Sequence, residues 1–190
     1  MSTDLIRSIA QESAQANKDF FSVRENIDAL STAADQMSKT FTENGKIIVF
    51  GNGGSAADSE HLAAELVVRF EKERKALPCI ALSANTSNLT ACGNDYSFDD
   101  IFSRQVEALA VKEDLIFAIS TSGNSKNVIK AVNTAKKKGC KVVALTGKDG
   151  GELIKLADIS INVKNKVTAR VQEIHILIIH ILCKIVEASL

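Results

Sequence analysis

Five short apolar runs dominate the chain from residue 46 onward, and a polar or glycine-rich turn and a segment with helical spacing generally follow them. The runs have the length and the β-branched content of strands, and they are apolar throughout rather than alternating. Such strands are buried on both faces, as in a parallel sheet covered by helices. The sequence therefore predicts a doubly wound α/β fold with a five-stranded parallel sheet, formed by Ile47–Phe50, Pro78–Leu82, Leu115–Ile119, Val142–Leu145 and Ile159–Val163.

Residues 3–44 precede this alternation and carry apolar residues at helical spacing, without a proline or glycine. The pattern predicts two helices, or one helix broken near Asn17. Because these helices lie outside the α/β alternation, we expect them to pack against a partner subunit as well as against the sheet. The chain of 190 residues is long enough for one domain with a sizeable core. We therefore expect a single domain over 1–190, with N-terminal helices over 1–45 and an α/β sandwich over 46–190.

Composition disfavours several classes of function. The 23 basic and 23 acidic side chains balance and tryptophan is absent, so we expect neither a basic nucleic-acid surface nor an aromatic stacking platform. The N-terminus has no apolar signal segment, and the apolar run Ile174–Val186 contains three polar residues and is too short to span a bilayer. Four dispersed cysteines are typical of buried, reduced thiols. These features predict a cytoplasmic protein that binds neither nucleic acid nor membrane.

Two loops rich in glycine and hydroxyl groups, Gly51–Ser55 and Ser120–Ser125, follow the first and third predicted strands. In a parallel α/β sheet both lie at the carboxyl edge, where ligands bind. Hydroxyl groups and the free N–H groups of a helix N-terminus suit a phosphate monoester. The simpler alternative is that Ser55 and Ser125 only cap helices. A dinucleotide is disfavoured, because the second strand ends in Leu82–Asn85 without the carboxylate that binds a ribose.

Titratable side chains lie on two of the predicted helices. His61 and Glu65 are four residues apart and share a helix face. The last helix carries Gln172, His175 and His180. Imidazole and carboxylate groups suit Zn²⁺, and they also suit proton transfer beside a sugar carbonyl. Gln172 and His180 are about 12 Å apart along an ideal helix, so either one ion is held from the side of the helix or subunits share the site.

Five segments carry a specific resemblance because they occur in the same order as in one known family. They are Gly51–Leu66, Gly93–Leu109, Ile119–Ala131, Ala144–Gly151 and Ala169–Cys183. The chain resembles the sugar-isomerase (SIS) domain and, within it, the phosphoheptose isomerases. The resemblance implies a flavodoxin-like five-stranded parallel sheet in a homotetramer with active sites at subunit interfaces. It also implies conversion of sedoheptulose 7-phosphate to D-glycero-D-manno-heptose 7-phosphate, for the heptose of a lipopolysaccharide core or a capsule.

The resemblance also implies roles for particular residues. The positions that match zinc ligands, with one Zn²⁺ per subunit, are His61, Glu65, Gln172 and His180. Glu65 and His180 also match the acid–base pair. The positions that match substrate-binding residues are Asn52, Gly53, Ser55, Asn94, Asp95, Ser120, Thr121, Ser122, Ser125 and Gln172. The chain departs from the family pattern at three positions: Val68, where many members have Gly, Asn85, where many have Asp, and Ala169, where some have Asp. These departures affect the expected shape of the sugar pocket.

Aldose–ketose isomerisation through an enediol requires a base at carbon and a group that protonates oxygen. We hypothesise that Glu65 takes the carbon-bound proton and that His180 assists ring opening and proton transfer at oxygen. A carboxylate bound to zinc is a poorer base, so the ligand and base roles of Glu65 compete. The alternative function is that of a non-catalytic SIS adaptor that binds the bacterial replication initiator. That adaptor resembles the isomerases but lacks the equivalents of Glu65 and His180, so their presence favours the enzyme.

Overall fold

The five predicted apolar runs form one parallel sheet in the structure, a computed structural model that describes residues 2–190. The strands are β1 (Ile47–Phe50), β2 (Cys79–Ala81), β3 (Leu115–Ser120), β4 (Lys141–Gly147) and β5 (Ile159–Val163). They lie in the sheet in the order β2-β1-β3-β4-β5, which confirms the predicted fold class. Because β2 and β3 lie on opposite sides of β1, the strand order reverses there, and the loops after β1 and β3 leave neighbouring strand ends.

Helices cover both faces of the sheet. Alternate residues of each buried strand point to opposite faces, so each face carries apolar side chains that the helices cover. The helices are α1 (Ser2–Phe21), α2 (Arg24–Thr42), α3 (Gly54–Val67), α4 (Thr86–Asp95), α5 (Ser103–Leu109), α6 (Lys126–Lys137), α7 (Leu153–Leu156) and α8 (Thr168–Ser189). Ile47 and Val49 belong to the core under α1, α2, α3 and α8, whereas Ile48 and Phe50 belong to the core under α5 and α6. The covering layers place α3 beside α8, and those two helices carry all four predicted zinc ligands.

The N-terminal segment forms two helices, as predicted, but the break lies at residues 22–23, so its predicted position near Asn17 is wrong. The Asn17 side chain donates a hydrogen bond to the Ser13 carbonyl one turn earlier and stays inside α1. Across the break, the Asn26 side chain donates to the Phe20 carbonyl. Proline and glycine are absent here, so the sequence gives no strong local signal for the break.

The first half of α1 is largely exposed, although the Ile9 carbonyl accepts a hydrogen bond from the Arg170 guanidinium of α8. Its apolar residues Leu5, Ile6 and Ile9 are exposed, and the buried residues of this helix are Ala16 and Phe20, nearer its C-terminal end. Exposed apolar surface of this kind is typical of surfaces that bind another molecule. Within residues 2–190, none of the helices has both the length and the apolar content needed to cross a bilayer.

Candidate functional site

The loops 51–55 and 120–125, which together we name the loop cradle, meet where the strand order reverses. The hydroxyl oxygens of Ser120 and Ser125 are 3.0 Å apart, and that of Ser122 lies 3.5 Å from Ser120. Thr121 lies between them and is half-buried. The structure therefore brings three of the predicted hydroxyl groups together at the N-terminus of α6, where free backbone N–H groups favour an anion.

Helix capping does not account for these serines. Gly53 occupies the N-cap position of α3, so Ser55 lies inside the first turn, where it is buried. Ser125 is the N-cap residue of α6, but its side chain makes no capping hydrogen bond. Its hydroxyl contacts Ser120 instead. The hydroxyl groups are thus placed beside a helix N-terminus without being used by the helix.

The loop after β4 supports the second half of the loop cradle. Gly123 has a φ of 64°, and a Cβ there would lie 1.9 Å from the Gly150 carbonyl oxygen, so only glycine fits. The Leu153 N–H donates to the Gly123 carbonyl at 2.9 Å, and the Glu152 N–H donates to the Asn124 side chain at 3.0 Å. The backbone of the second loop is therefore fixed by contacts within the chain.

Two asparagine side chains join the halves of the loop cradle. Asn52 and Asn127 exchange two amide hydrogen bonds, each 2.9 Å long, and Asn127 is buried. The Asn127 oxygen also accepts from the Val128 N–H. The Asn52 side chain, predicted to face substrate, is thus engaged with α6. Sequence reasoning missed Asn127, for which the only signal was an amide residue two positions after Ser125.

Three other predicted substrate-binding residues lie in two places. The Gln172 amide lies against the start of α3: a Cβ on Gly54 would come within 2.2 Å of Nε2, so a larger residue there would displace the Gln172 side chain. Asn94 and Asp95 are exposed at the end of α4, where the Asn94 amide donates to the Asp95 carboxylate at 2.8 Å. That hydrogen bond joins them to one another rather than to the loop cradle.

Three predicted zinc ligands, His61, Glu65 and His180, come together between α3 and α8, and we name them the His/Glu cluster. His61 Nε2 lies 3.1 Å from Glu65 Oε1 and 3.0 Å from His180 Nε2. One ligand atom from each residue lies within 4.8 Å of the others. Ligand atoms around a tetrahedral Zn²⁺ are about 3.4 Å apart, and two imidazoles with one carboxylate form a common zinc set. The donors and their spacing therefore fit a divalent metal.

The His/Glu cluster is open to solvent. The His61 side chain is 42% exposed and that of Glu65 is 22% exposed. The Phe70 ring lies 5.7 Å from the His180 ring and covers one side of it. The departure Val68, three residues after Glu65, is 69% exposed. The other two departures lie elsewhere: the Asn85 side chain accepts from the Asn88 N–H at the start of α4, and Ala169 is exposed in the first turn of α8.

Two buried titratable groups lie on the same helices. Burial raises the pKa of Asp58, three residues before His61, to about 6, although the charge on His61 opposes the shift. His175 is fully buried and contacts the Thr146 carbonyl oxygen through Nε2 at 3.0 Å. Burial lowers the pKa of His175 to about 4, so its imidazole is neutral and ties α8 to the end of β4. His175 lies outside the His/Glu cluster.

Comparison with known proteins points to one family. A family model described as SIS domain matches residues 12–147. A phosphoheptose isomerase of Helicobacter hepaticus is 55% identical over 161 residues, which are 85% of this chain and 82% of that protein. The structure of a phosphoheptose isomerase from Neisseria gonorrhoeae is 40% identical, with a TM-score of 0.94 over 99% of this chain and 100% of that one. That from Francisella tularensis is 38% identical, with a TM-score of 0.95 over 99% of both chains. The structural matches include α8, which lies beyond the segment covered by the family model.

Proposed function

The chain belongs to the SIS-domain family, and on that premise we propose that it is a phosphoheptose isomerase that converts sedoheptulose 7-phosphate to D-glycero-D-manno-heptose 7-phosphate through an enediol. The H. hepaticus protein and both solved relatives are phosphoheptose isomerases. The observation that carries the proposal is the meeting of His61, Glu65 and His180 between α3, which begins in the loop cradle, and α8. Gln172 of α8 lies against Gly54 at the start of α3. His61 lies about 10 Å along α3 from Gly54, a separation that an open-chain seven-carbon sugar phosphate can span.

The loop cradle is proposed to bind the phosphate end of the substrate. Hydroxyl groups and helix N-terminal amides supply hydrogen bonds to a dianion without a neighbouring lysine or arginine. This role is supported by the converging hydroxyl groups, none of which is used in capping. The proposed substrate-binding residues are Asn52, Gly53, Ser55, Asn94, Asp95, Ser120, Thr121, Ser122, Ser125 and Gln172.

The His/Glu cluster is proposed to hold one Zn²⁺ per subunit through His61, Glu65 and His180, with Gln172 as the fourth ligand. Zinc bound there supplies a Lewis acid that stabilises negative charge on the substrate oxygens. The Gln172 amide lies against Gly54, about 10 Å along α3 from His61. We therefore propose that Gln172 completes the ligand set after its side chain leaves Gly54, or that a neighbouring subunit contributes it.

Glu65 and His180 are proposed to move the protons. Glu65 removes the proton from the carbon next to the carbonyl and returns it to the adjacent carbon, as the enediol requires. His180 protonates and deprotonates the oxygens and assists opening of the sugar ring. A carboxylate and an imidazole are ordinary groups for these steps near neutral pH. Glu65 can act as base only to the extent that metal binding leaves one of its oxygens free.

We propose that the protein is a cytoplasmic homotetramer with its active sites at subunit interfaces. Residues 1–190 would form one SIS domain, and 1–45 would contribute to the packing of subunits. Exposed apolar side chains flank the His/Glu cluster: Val68 lies three residues after Glu65, and Leu177 lies three residues before His180. A second subunit that covers these side chains would also exclude water from the site. The exposed apolar stripe on α1 supports the same assembly.

The alternative of a non-catalytic adaptor for the replication initiator is not favoured. The relatives are named as isomerases, and Glu65 and His180 are both present. The product would in turn serve heptose synthesis for a lipopolysaccharide core or a capsule.

The test is to supply the zinc-loaded protein with a panel of ketose phosphates and to identify the products by NMR. We expect sedoheptulose 7-phosphate to give D-glycero-D-manno-heptose 7-phosphate, with slower or no turnover of shorter ketose phosphates. A protein that binds no zinc and turns over none of these sugars would be better explained as an adaptor.

A further inference from the structure

A buried ion pair links α8 to the segment 68–76 that follows α3. Arg74 Nε lies 3.1 Å from Glu187 Oε1, and the two side chains are only 12% and 3% exposed. A second ion pair, Lys184 with Glu71, joins the same helix and segment, but its side chains are 65% and 54% exposed. Exposed ion pairs of this kind contribute little to stability, whereas breaking a buried pair leaves an uncompensated buried charge and is strongly destabilising. The exposed pair joins the same two elements as the buried pair and can serve as its control.

Glu187 binds the backbone of the segment as well as Arg74. Its carboxylate accepts hydrogen bonds from the N–H groups of Phe70, Glu71 and Lys72, at 3.1, 2.9 and 2.8 Å. Burial raises the pKa of the Glu187 carboxyl, but these donors and Arg74 outweigh that effect and hold its pKa below the usual value. Three consecutive backbone groups are thus fixed by one side chain of α8.

Arg74 in turn holds the last turn of α3. Its guanidinium donates to the carbonyl oxygens of Glu65 and Leu66, at 2.8 and 2.9 Å. Carbonyl groups in the last turn of a helix have no partner within the helix and need one from outside. One of the two belongs to Glu65, so Arg74 bonds the backbone of a residue of the His/Glu cluster.

Phe70 connects the network to the other helix of the His/Glu cluster. Its N–H donates a hydrogen bond to the Glu187 carboxylate, and the centroid of its ring lies 5.7 Å from that of the His180 ring. The network thus reaches Glu65 on α3 through Arg74 and His180 on α8 through Phe70. None of its three residues belongs to the cluster itself.

We propose that Glu187, Arg74 and Phe70 are positioning residues for the His/Glu cluster. They fix the end of α3 against α8, and they keep the ligand atoms of His61, Glu65 and His180 within reach of one ion. The inference rests on the metal site proposed above and adds the residues that set its geometry. Side chains that orient ligands in this way govern metal affinity although they do not touch the metal.

The variants must separate positioning from stability, because removing one partner of a buried ion pair strongly destabilises a protein. Arg74→Lys keeps the charge but loses the fork that reaches two carbonyl groups. Phe70→Leu keeps apolar volume but loses the ring that covers His180. Lys184→Gln removes the exposed ion pair between the same elements and is the matched control. Circular dichroism and melting temperature identify variants that are folded at the assay temperature.

The measurement is the affinity of the full chain for Zn²⁺, by competition with a chromophoric chelator, with Co²⁺ absorption reporting the geometry of the site. We expect Arg74→Lys and Phe70→Leu to weaken Zn²⁺ binding about tenfold, to alter the Co²⁺ spectrum and to lower kcat, with KM for the ketose phosphate nearly unchanged. Lys184→Gln should match the wild type.

Folded Arg74→Lys and Phe70→Leu variants with wild-type Zn²⁺ affinity and Co²⁺ spectrum would overturn the inference, as would a wild type that binds no zinc. A wild type that binds zinc but isomerises no ketose phosphate would instead refute the proposed function, and the comparison of metal affinities among the variants would still decide this inference.

Discussion

The loop cradle is tied together by its own backbone and neighbouring amides, whereas the His/Glu cluster is three side chains on the surfaces of two helices. Asn52 and Asn127 join the two loops of the cradle, and Gly123 lies directly against Gly150. In the cluster, by contrast, the His61 side chain is 42% exposed. The cradle is therefore preorganised before a ligand arrives, while the cluster depends on how α3 and α8 are held together. This difference predicts that binding of the phosphate end and turnover respond to different substitutions.

The largest effect is expected in the His/Glu cluster. Glu65→Gln removes the proposed base and one metal ligand, so kcat should fall about a thousandfold, within the range for a general base. KM should stay within about twofold of the wild type, because the loop cradle is untouched. Steady-state kinetics with sedoheptulose 7-phosphate measures both constants. Turnover that survives within a factor of a few would show that Glu65 is not the base.

Acid should destabilise the molecule through α8. His175 in the unfolded chain takes up a proton near its ordinary pKa of 6.5, but in the folded chain only near pH 4. Stability is therefore lost as the pH falls from 6.5 to 4, by about 3 kcal/mol. Urea unfolding across this range should show a smaller loss for His175→Gln, which keeps a donor for the Thr146 carbonyl. Parallel pH profiles for the two proteins would contradict the assignment.

Breaking the amide pair tests how far the loop cradle is preorganised. Asn127→Ala leaves Asn52 without its partner and should cost about 2 kcal/mol of stability, with a higher KM and little change in kcat. Unfolding free energies of Asn52→Ala, Asn127→Ala and the double variant form a cycle that isolates the pair. Simple additivity of the two single effects would mean that the amide pair is not what joins the loops.

The smallest effect is expected for a single hydroxyl group. Ser125→Ala should raise KM about tenfold, the loss of one hydrogen bond to a charged group, and leave kcat unchanged. Thr134→Ala is the matched control, because Thr134 lies on α6, the helix that follows Ser125, and its hydroxyl donates to the Lys130 carbonyl. Equal KM values for the two variants would mean that Ser125 does not contact the phosphate.

Local pattern was enough to predict the sheet and the loops of the cradle. Strand runs such as Ile47–Phe50 and hydroxyl-rich turns such as Ser120–Ser125 are encoded by neighbouring residues, and the structure places them as expected. The approach of His61 and Glu65 to His180 was expected from the family resemblance rather than from spacing, because it depends on the packing of α3 on α8.

The features that the sequence did not predict are side-chain pairs whose partners lie far apart in sequence and the position of the break between α1 and α2, which has no local signal. Asn52 and Asn127 are 75 residues apart, and Arg74 and Glu187 are 113 residues apart. Each residue alone resembles an ordinary polar surface residue, and only the fold brings the partners together. The break at residues 22–23 was misplaced because no proline or glycine marks it.

The central claim is that the loop cradle binds the phosphate end of the substrate independently of the His/Glu cluster. Its most direct test is calorimetric titration with an alditol phosphate, which has the phosphate end of the substrate but no carbonyl group to isomerise. The dissociation constant should be nearly the same for the metal-free and the zinc-loaded protein, and it should rise about tenfold in Ser125→Ala. Binding that requires zinc and ignores Ser125→Ala would contradict the account.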